Sequence, residues 1–233
     1  MTKRRRKEEF VLSKNYAKTI AVVELLGQVT SSQILRLVFS EPHTSPASRA
    51  WRCNRTLKNL VRQSYLRPIE SRATGIGAGW SGWVYLPASS TAAKVDHHEL
   101  DQAQVYVELK EAEAAGQLKI LDLAIREPIG AGHKADDLYV WLEASNGRID
   151  WHVEVDRGTE RGPKMRAKLR AYHRAYQAAA GRTFPYVLLV VTFNPLGTIS
   201  ERVKQLRGWI QEQPEPELFH VCTFDELIEK MCS

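Results

Sequence analysis

Cysteine is scarce in this chain. Three occur among 233 residues, Cys53, Cys222 and Cys232, and no two have the spacing of a metal-binding pair. An odd, scattered set suits a reducing compartment better than a disulfide scaffold. Long apolar runs are missing too. The longest, Tyr186 to Phe193, has the length of a strand, far below the ~18 residues that span a bilayer. The opening Lys3-Arg4-Arg5-Arg6-Lys7 has the charge of a signal peptide, but no apolar segment or small-residue cleavage site follows it. The expected location is therefore cytoplasmic, associated with nucleoid or plasmid, with no membrane partner. Internal repeats and low-complexity segments are lacking. Gly75-x-Gly77-x-Gly79 has no Lys-Ser/Thr after it and so is not a phosphate loop.

Charge is unevenly distributed. Residues 1–92 hold 15 Lys/Arg against 5 Asp/Glu, whereas residues 93–233 hold 18 against 22. One half is suited to a polyanion and the other is not. Apolar residues make up 43% of the chain, enough for a packed core.

Residues 1–13 read as a basic, flexible arm. Ile20, Val23 and Leu26 recur at helical spacing, and Gly27 can end that helix. Thr30-Ser31-Ser32 offers hydroxyl caps ahead of a second apolar helix, Ile34 to Phe39. Pro46 suits the first position of a third helix, which runs to about Gln63. Two short strands around the glycine-rich tip then make a hairpin, Tyr65–Ile69 and Gly82–Leu86. On a helical wheel Ala50, Asn54, Leu57, Leu60 and Val61 share one arc of the third helix. Arg52, Arg55, Lys58 and Arg62 share the opposite arc, and Arg49 is counted with them. Trp51, at the edge of the apolar arc, is expected in the core. A helix entering the major groove needs this division. Arg72, near the hairpin tip, is a candidate minor-groove or phosphate contact. The order helix, capped helix, basic helix, hairpin predicts a winged helix-turn-helix over 14–88 that binds double-stranded DNA.

Residues 89–95 are small and polar and read as a linker. The remainder, 96–233, alternates helices and strands. Strands are expected at Lys119–Arg126, Asp137–Glu143 and Ile149–Asp156, with Asn146-Gly147 in the turn between the last two. A basic helix follows, about Lys164 to Ala180, then a buried strand, Pro185–Phe193. A helix (Ser200–Gln211), a strand (Leu218–Thr223) and a last helix capped by Thr223 or Asp225 complete the chain.

In Trp151-His152-Val153-Glu154-Val155-Asp156, strand alternation puts His152, Glu154 and Asp156 on one face. Carboxylates two residues apart on one face repel unless a cation compensates. Asp136 starts the neighbouring strand. Asp136, Glu154 and Asp156 together could hold Mg²⁺ or Mn²⁺, and Lys168 could supply further positive charge. The alternative is a polar edge paired with Arg157, Arg161 and Arg166. Tyr172 and Tyr176, four apart on the basic helix, are a core pair or a nucleophile. His98 is expected in a structural or phosphate-binding role rather than as a metal ligand, because adjacent His97 and His98 point apart on a helix.

Val153-Glu154-Val155-Asp156-Arg157-Gly158-Thr159-Glu160 with Lys168-Leu169-Arg170-x-Tyr172, together with His98-x-Leu100 and Lys134-Ala135-Asp136, resembles the replication-relaxation family of plasmid and mobile-element proteins, which overlaps MobC-like mobilisation relaxases. The resemblance covers most of the chain. It implies a restriction-endonuclease-like domain of the PD-(D/E)xK class, with Asp136 and Glu154 as metal carboxylates. Ala135 stands where that motif has Pro, and Asp156 where it has Lys; Lys168 is the candidate replacement.

The expected fold class is thus α/β, or α+β overall: a winged helix-turn-helix followed by a nuclease-like domain with a mixed central sheet. Two functions are open. One is a DNA-binding protein of replication or mobilisation that recognises an origin-type site and nicks it with Mg²⁺ or Mn²⁺, using Asp136, Glu154, Asp156 and Lys168. The other is a non-catalytic regulator of replication, transfer or transcription, whose degenerate nuclease fold serves dimerisation or contacts with mobilisation or replication proteins.

Overall fold

The computed structural model of the chain describes residues 13–73, 82–126, 137–179 and 183–233, with the backbone alone for 70–73. Most of the expected basic arm, the tip glycines Gly75, Gly77 and Gly79, and Asp136 lie outside the described residues, as does the Arg72 side chain.

The fold is mixed α and β, with two sheets among the described residues. The first unit runs α1 (Lys14–Leu26), β1 (Val29–Thr30), α2 (Ser31–Val38), α3 (Pro46–Arg62), β2 (Leu66–Ala73) and β3 (Gly82–Pro87). Gly27, at φ 78°, ends α1 and donates its N–H to the Val23 carbonyl. Thr30 then caps α2: its hydroxyl accepts from the Gln33 N–H, and the Gln33 side chain accepts from the Thr30 N–H. Such a cap contributes about 1 kcal/mol. Ser45 caps α3, with Pro46 at its first position. The three strands are antiparallel in the order β1-β3-β2. Val23, Ile34, Phe39, Cys53, Leu57 and Leu60 pack together as the core of this unit.

The second unit runs α4 (His97–Ala114), β4 (Lys119–Ile125), β5 (Leu138–Ala144), β6 (Gly147–Asp156), α5 (Gly162–Ala178), β7 (Tyr186–Val191), α6 (Ile199–Gln211), β8 (Phe219–Thr223) and α7 (Leu227–Cys232). The sheet order is β4-β5-β6-β7-β8; the first three strands are antiparallel, while β7 and β8 run parallel to β6. Helices cover both faces. Trp151, Val153, Val155, Leu188 and Val190 face α4 and α7. Val187, Leu189 and Val191 face α5 and α6. A strand covered on both sides has no polar face to show, which explains the unbroken apolar run of β7. No side chain caps α7: Thr223 and Asp225 do not fill that role, and instead the Glu226 carboxylate accepts the Thr223 N–H at 2.8 Å.

Helix α4 belongs to both units. Its Val105, Leu109 and Ala112 enter the core of the large sheet, Ala103 enters the core of the first unit, and Leu100 packs under the β2–β3 hairpin. Burial all round leaves it no apolar stripe, so Asp101, Gln102 and Gln104 are buried as well. Gln33 of α2 donates to the Leu100 carbonyl at 2.9 Å and to Gln104 at 3.1 Å. Arg36 of α2 bonds Glu108 and Glu111. The expected linker is held down too: Arg67 donates to the carbonyls of Ser90 and Ala92, and Gln28 to that of Lys94. Among the described residues no helix is long and apolar enough to cross a membrane.

Candidate functional site

Two places gather chemistry-bearing side chains. The first is the outer face of α3. Cys53, Thr56, Leu57 and Leu60 are buried. The opposite stripe, at i, i+4, i+7 and i+11, is Trp51, Arg55, Lys58 and Arg62, all exposed. No acidic residue occurs on the helix. The structure corrects the sequence expectation at two positions. Trp51 is 60% exposed rather than core, and Asn54 is exposed rather than apolar-arc. The wheel explains both: with the buried stripe centred near Leu60 and Cys53, Trp51 falls on the far side. Arg52 and Arg49 are half-buried on the flanks, and Arg52 is paired with Glu41. Arg55 lies over the Trp51 ring, its guanidinium carbon 5.1 Å from the centroid.

The second place is a cleft of about 1250 Å³ between the two units, lined among others by Gln28, Lys94, Arg126, Asp137, Glu154 and Lys168. None of its lining residues comes from α3. Strand alternation works as expected here: His152, Glu154 and Asp156 are buried on the α5–α6 side of β6. Lys168 and Tyr172, one turn apart on α5, both reach Glu154. Tyr172 donates to Oε1 at 2.6 Å and Lys168 to Oε2 at 2.8 Å. Lys168 also lies 3.3 Å from Glu160.

The carboxylate beside Glu154 is Asp137. Its Oδ2 accepts the Val155 N–H at 2.7 Å, and its Oδ1 meets His98 at 3.0 Å and Gln102 at 2.7 Å. The sequence pattern points to Asp136, one residue away. The signal that finds Asp137 is the hairpin. Ala144 closes against Gly147 across the two-residue loop Ser145-Asn146, and the ladder runs back to Leu138 opposite Val153. One step further places Asp137 across from Glu154.

No family profile, curated protein or solved structure matches the chain.

The electrostatics of the cleft follow from these contacts. Burial and the nearby Asp137 charge push the Glu154 carboxyl up, against the pull of Lys168 and Tyr172. Burial would also raise Asp137, but the His98 contact, the Val155 N–H and Lys168 carry it below the ordinary carboxylate range. Burial acts to lower His98, and the Asp137 carboxylate outweighs it, so the imidazole is raised above its usual value. Lys168 is desolvated yet shifted upward, chiefly by Glu154. His98 is therefore a partner of an acid within the chain.

The donor set does not fit a divalent cation as it stands. Asp156, the expected third ligand, has both its oxygens held by Arg202 of α6, at 2.7 and 3.0 Å. An ammonium sits on Glu154 where a metal would bind. Among the described residues no group of three or more His, Cys, Asp or Glu side chains is arranged for a metal. Nothing near Asp156 in sequence announces Arg202, a partner 46 residues away. The polar-edge alternative also changes. Arg157 is paired with buried Asp101, while Arg166 is paired with Glu212. Tyr172 is 2% exposed and bonded to Glu154, while Tyr176 packs edge-on against Phe184.

Proposed function

We propose that the protein binds double-stranded DNA by laying α3 in the major groove, as a site-binding factor of plasmid or mobile-element replication or mobilisation. One observation carries the reading: Arg55, Lys58 and Arg62 stand exposed on one stripe of a helix without acidic residues, opposite a buried stripe that anchors it. The element order supports a winged helix-turn-helix, since three helices precede the β2–β3 hairpin. The order α4-β4-β5-β6-α5-β7, with three antiparallel strands and a parallel fourth, supports a restriction-endonuclease-like second unit. The plasmid setting rests on the replication-relaxation resemblance. A palindromic site would call for a homodimer.

The test is a gel-shift titration of Arg55→Ala/Lys58→Ala/Arg62→Ala against mixed-sequence duplex. Each phosphate that no longer meets a cation lowers the slope of log affinity against log salt by about 0.9. The triple variant should bind far more weakly at physiological salt, with a slope shallower by roughly 2–3 if all three side chains meet phosphate. Unchanged affinity and slope would sink the reading.

A second reading is metal-dependent nicking. What favours it is the convergence of Asp137, Glu154 and Lys168 in a cleft open to solvent. Nicked circles formed from supercoiled plasmid in Mn²⁺, and absent with Glu154→Ala, would select this reading. Binding without cleavage selects the regulator.

A further inference from the structure

Trp51 is an anomaly on its helix. It is a large apolar side chain, 60% exposed, set among cations. Leaving an indole in water forgoes a burial worth about 25 cal/mol per Å². The guanidinium of Arg55, one turn on, lies over its ring. Trp51 lies in the second turn from the N-terminus of α3, and N-terminal residues of a groove-entering helix are those that reach base edges. An aromatic edge in the major groove finds the thymine 5-methyl; a guanidinium fork finds guanine O6 and N7. Stacking on the indole also restrains the Arg55 side chain, which reduces the rotamer freedom it gives up on binding.

We infer that Trp51 and Arg55 form a base-reading pair that selects a thymine next to a guanine, with Trp51 both the thymine contact and the positioning residue for Arg55. The inference rests on the DNA-binding reading above and names its specificity. A duplex is the occupant because every charged residue of α3, Arg49, Arg52, Arg55, Lys58 and Arg62, is basic.

The experiment is selection of duplexes from a randomised pool by the full chain, with Trp51→Ala and Trp51→Phe alongside. The wild type should enrich a motif with an invariant guanine beside a thymine. Deoxyuridine in place of that thymine should weaken wild-type binding about fourfold, the worth of one buried methyl. Trp51→Phe should keep the thymine preference. Trp51→Ala should lose it, weaken the guanine preference and be indifferent to deoxyuridine. Its thermal midpoint should be unchanged, since the side chain is exposed. A wild type that enriches a motif indifferent to the methyl, or a Trp51→Ala that enriches the same motif, overturns this inference alone. A wild type that enriches no duplex overturns the DNA-binding reading with it.

Discussion

The two units handle charge in opposite ways. On α3 the cations Arg55, Lys58 and Arg62 face solvent on a helix with no acid of its own. Around the large sheet the buried acids and half-buried Asp137 meet partners within the chain: Asp156 has Arg202, Asp101 has Arg157 and Thr192, Glu154 has Lys168 and Tyr172, Asp137 has His98 and Gln102. Desolvation accounts for the difference. A buried charge without a partner costs several kcal/mol, whereas an exposed one costs little and remains available to a polyanion. The exposed cations of α3 are therefore left to solvent, and the buried acids of the large sheet are neutralised within the fold.

That contrast can be broken most sharply at Arg202. Arg202→Ala leaves Asp156 buried with its main cation gone and should destabilise the chain by roughly 3–5 kcal/mol. Urea unfolding measures it. Asp156→Ala made on that background should recover part of the loss, because the stranded charge goes with it. DNA affinity at a temperature where both proteins are folded should not change.

The complementary variant, Arg55→Ala/Lys58→Ala/Arg62→Ala, should do the reverse. Each exposed substitution stays within about 0.5 kcal/mol in stability, while DNA binding falls steeply. A matching loss of stability would mean that these side chains also serve the fold.

A smaller effect is expected at His98. Its raised pKa means that its contribution is fully present below the unfolded value and is lost as pH rises through the folded value. Asp137, depressed, contributes above its unfolded value and loses that contribution as pH falls through the folded one. The pair therefore stabilises most between the two, in mildly acidic solution. Thermal midpoints of wild type and His98→Gln should differ most there and converge above the folded His98 pKa.

The smallest change sits between the two regimes. Arg52 is half-buried on the flank of α3 and paired with Glu41. Glu41→Gln frees that cation and should tighten DNA binding modestly, by no more than an exposed ion pair is worth, about 0.2–1 kcal/mol.

How much of this is legible in the sequence depends on the range of the contact. Local rules place most elements within a residue or two. Gly27 ends α1, Thr30 caps α2, and Pro46 opens α3 as expected. The face shared by His152, Glu154 and Asp156 follows from alternation alone. The pairings do not. The place of Asp137 beside Glu154 is decided by the register of a hairpin, and that of Arg202 by a helix packed across a parallel strand. Trp51 departs from expectation because its size and apolarity suggest burial, while the helix phase set by Cys53, Leu57 and Leu60 puts it outside. His98 and Gln102 reach Asp137 only because α4 crosses the start of β5.

Helix α4 has one more consequence. Its neighbours on either side draw on the same eighteen residues, so neither can lose its fold without exposing the apolar side chains that α4 shares with the other. Cutting the backbone at the strap of residues 89–95 should not liberate a stable N-terminal piece. Heating should unfold the chain in a single calorimetric step, with no plateau in which one half survives alone.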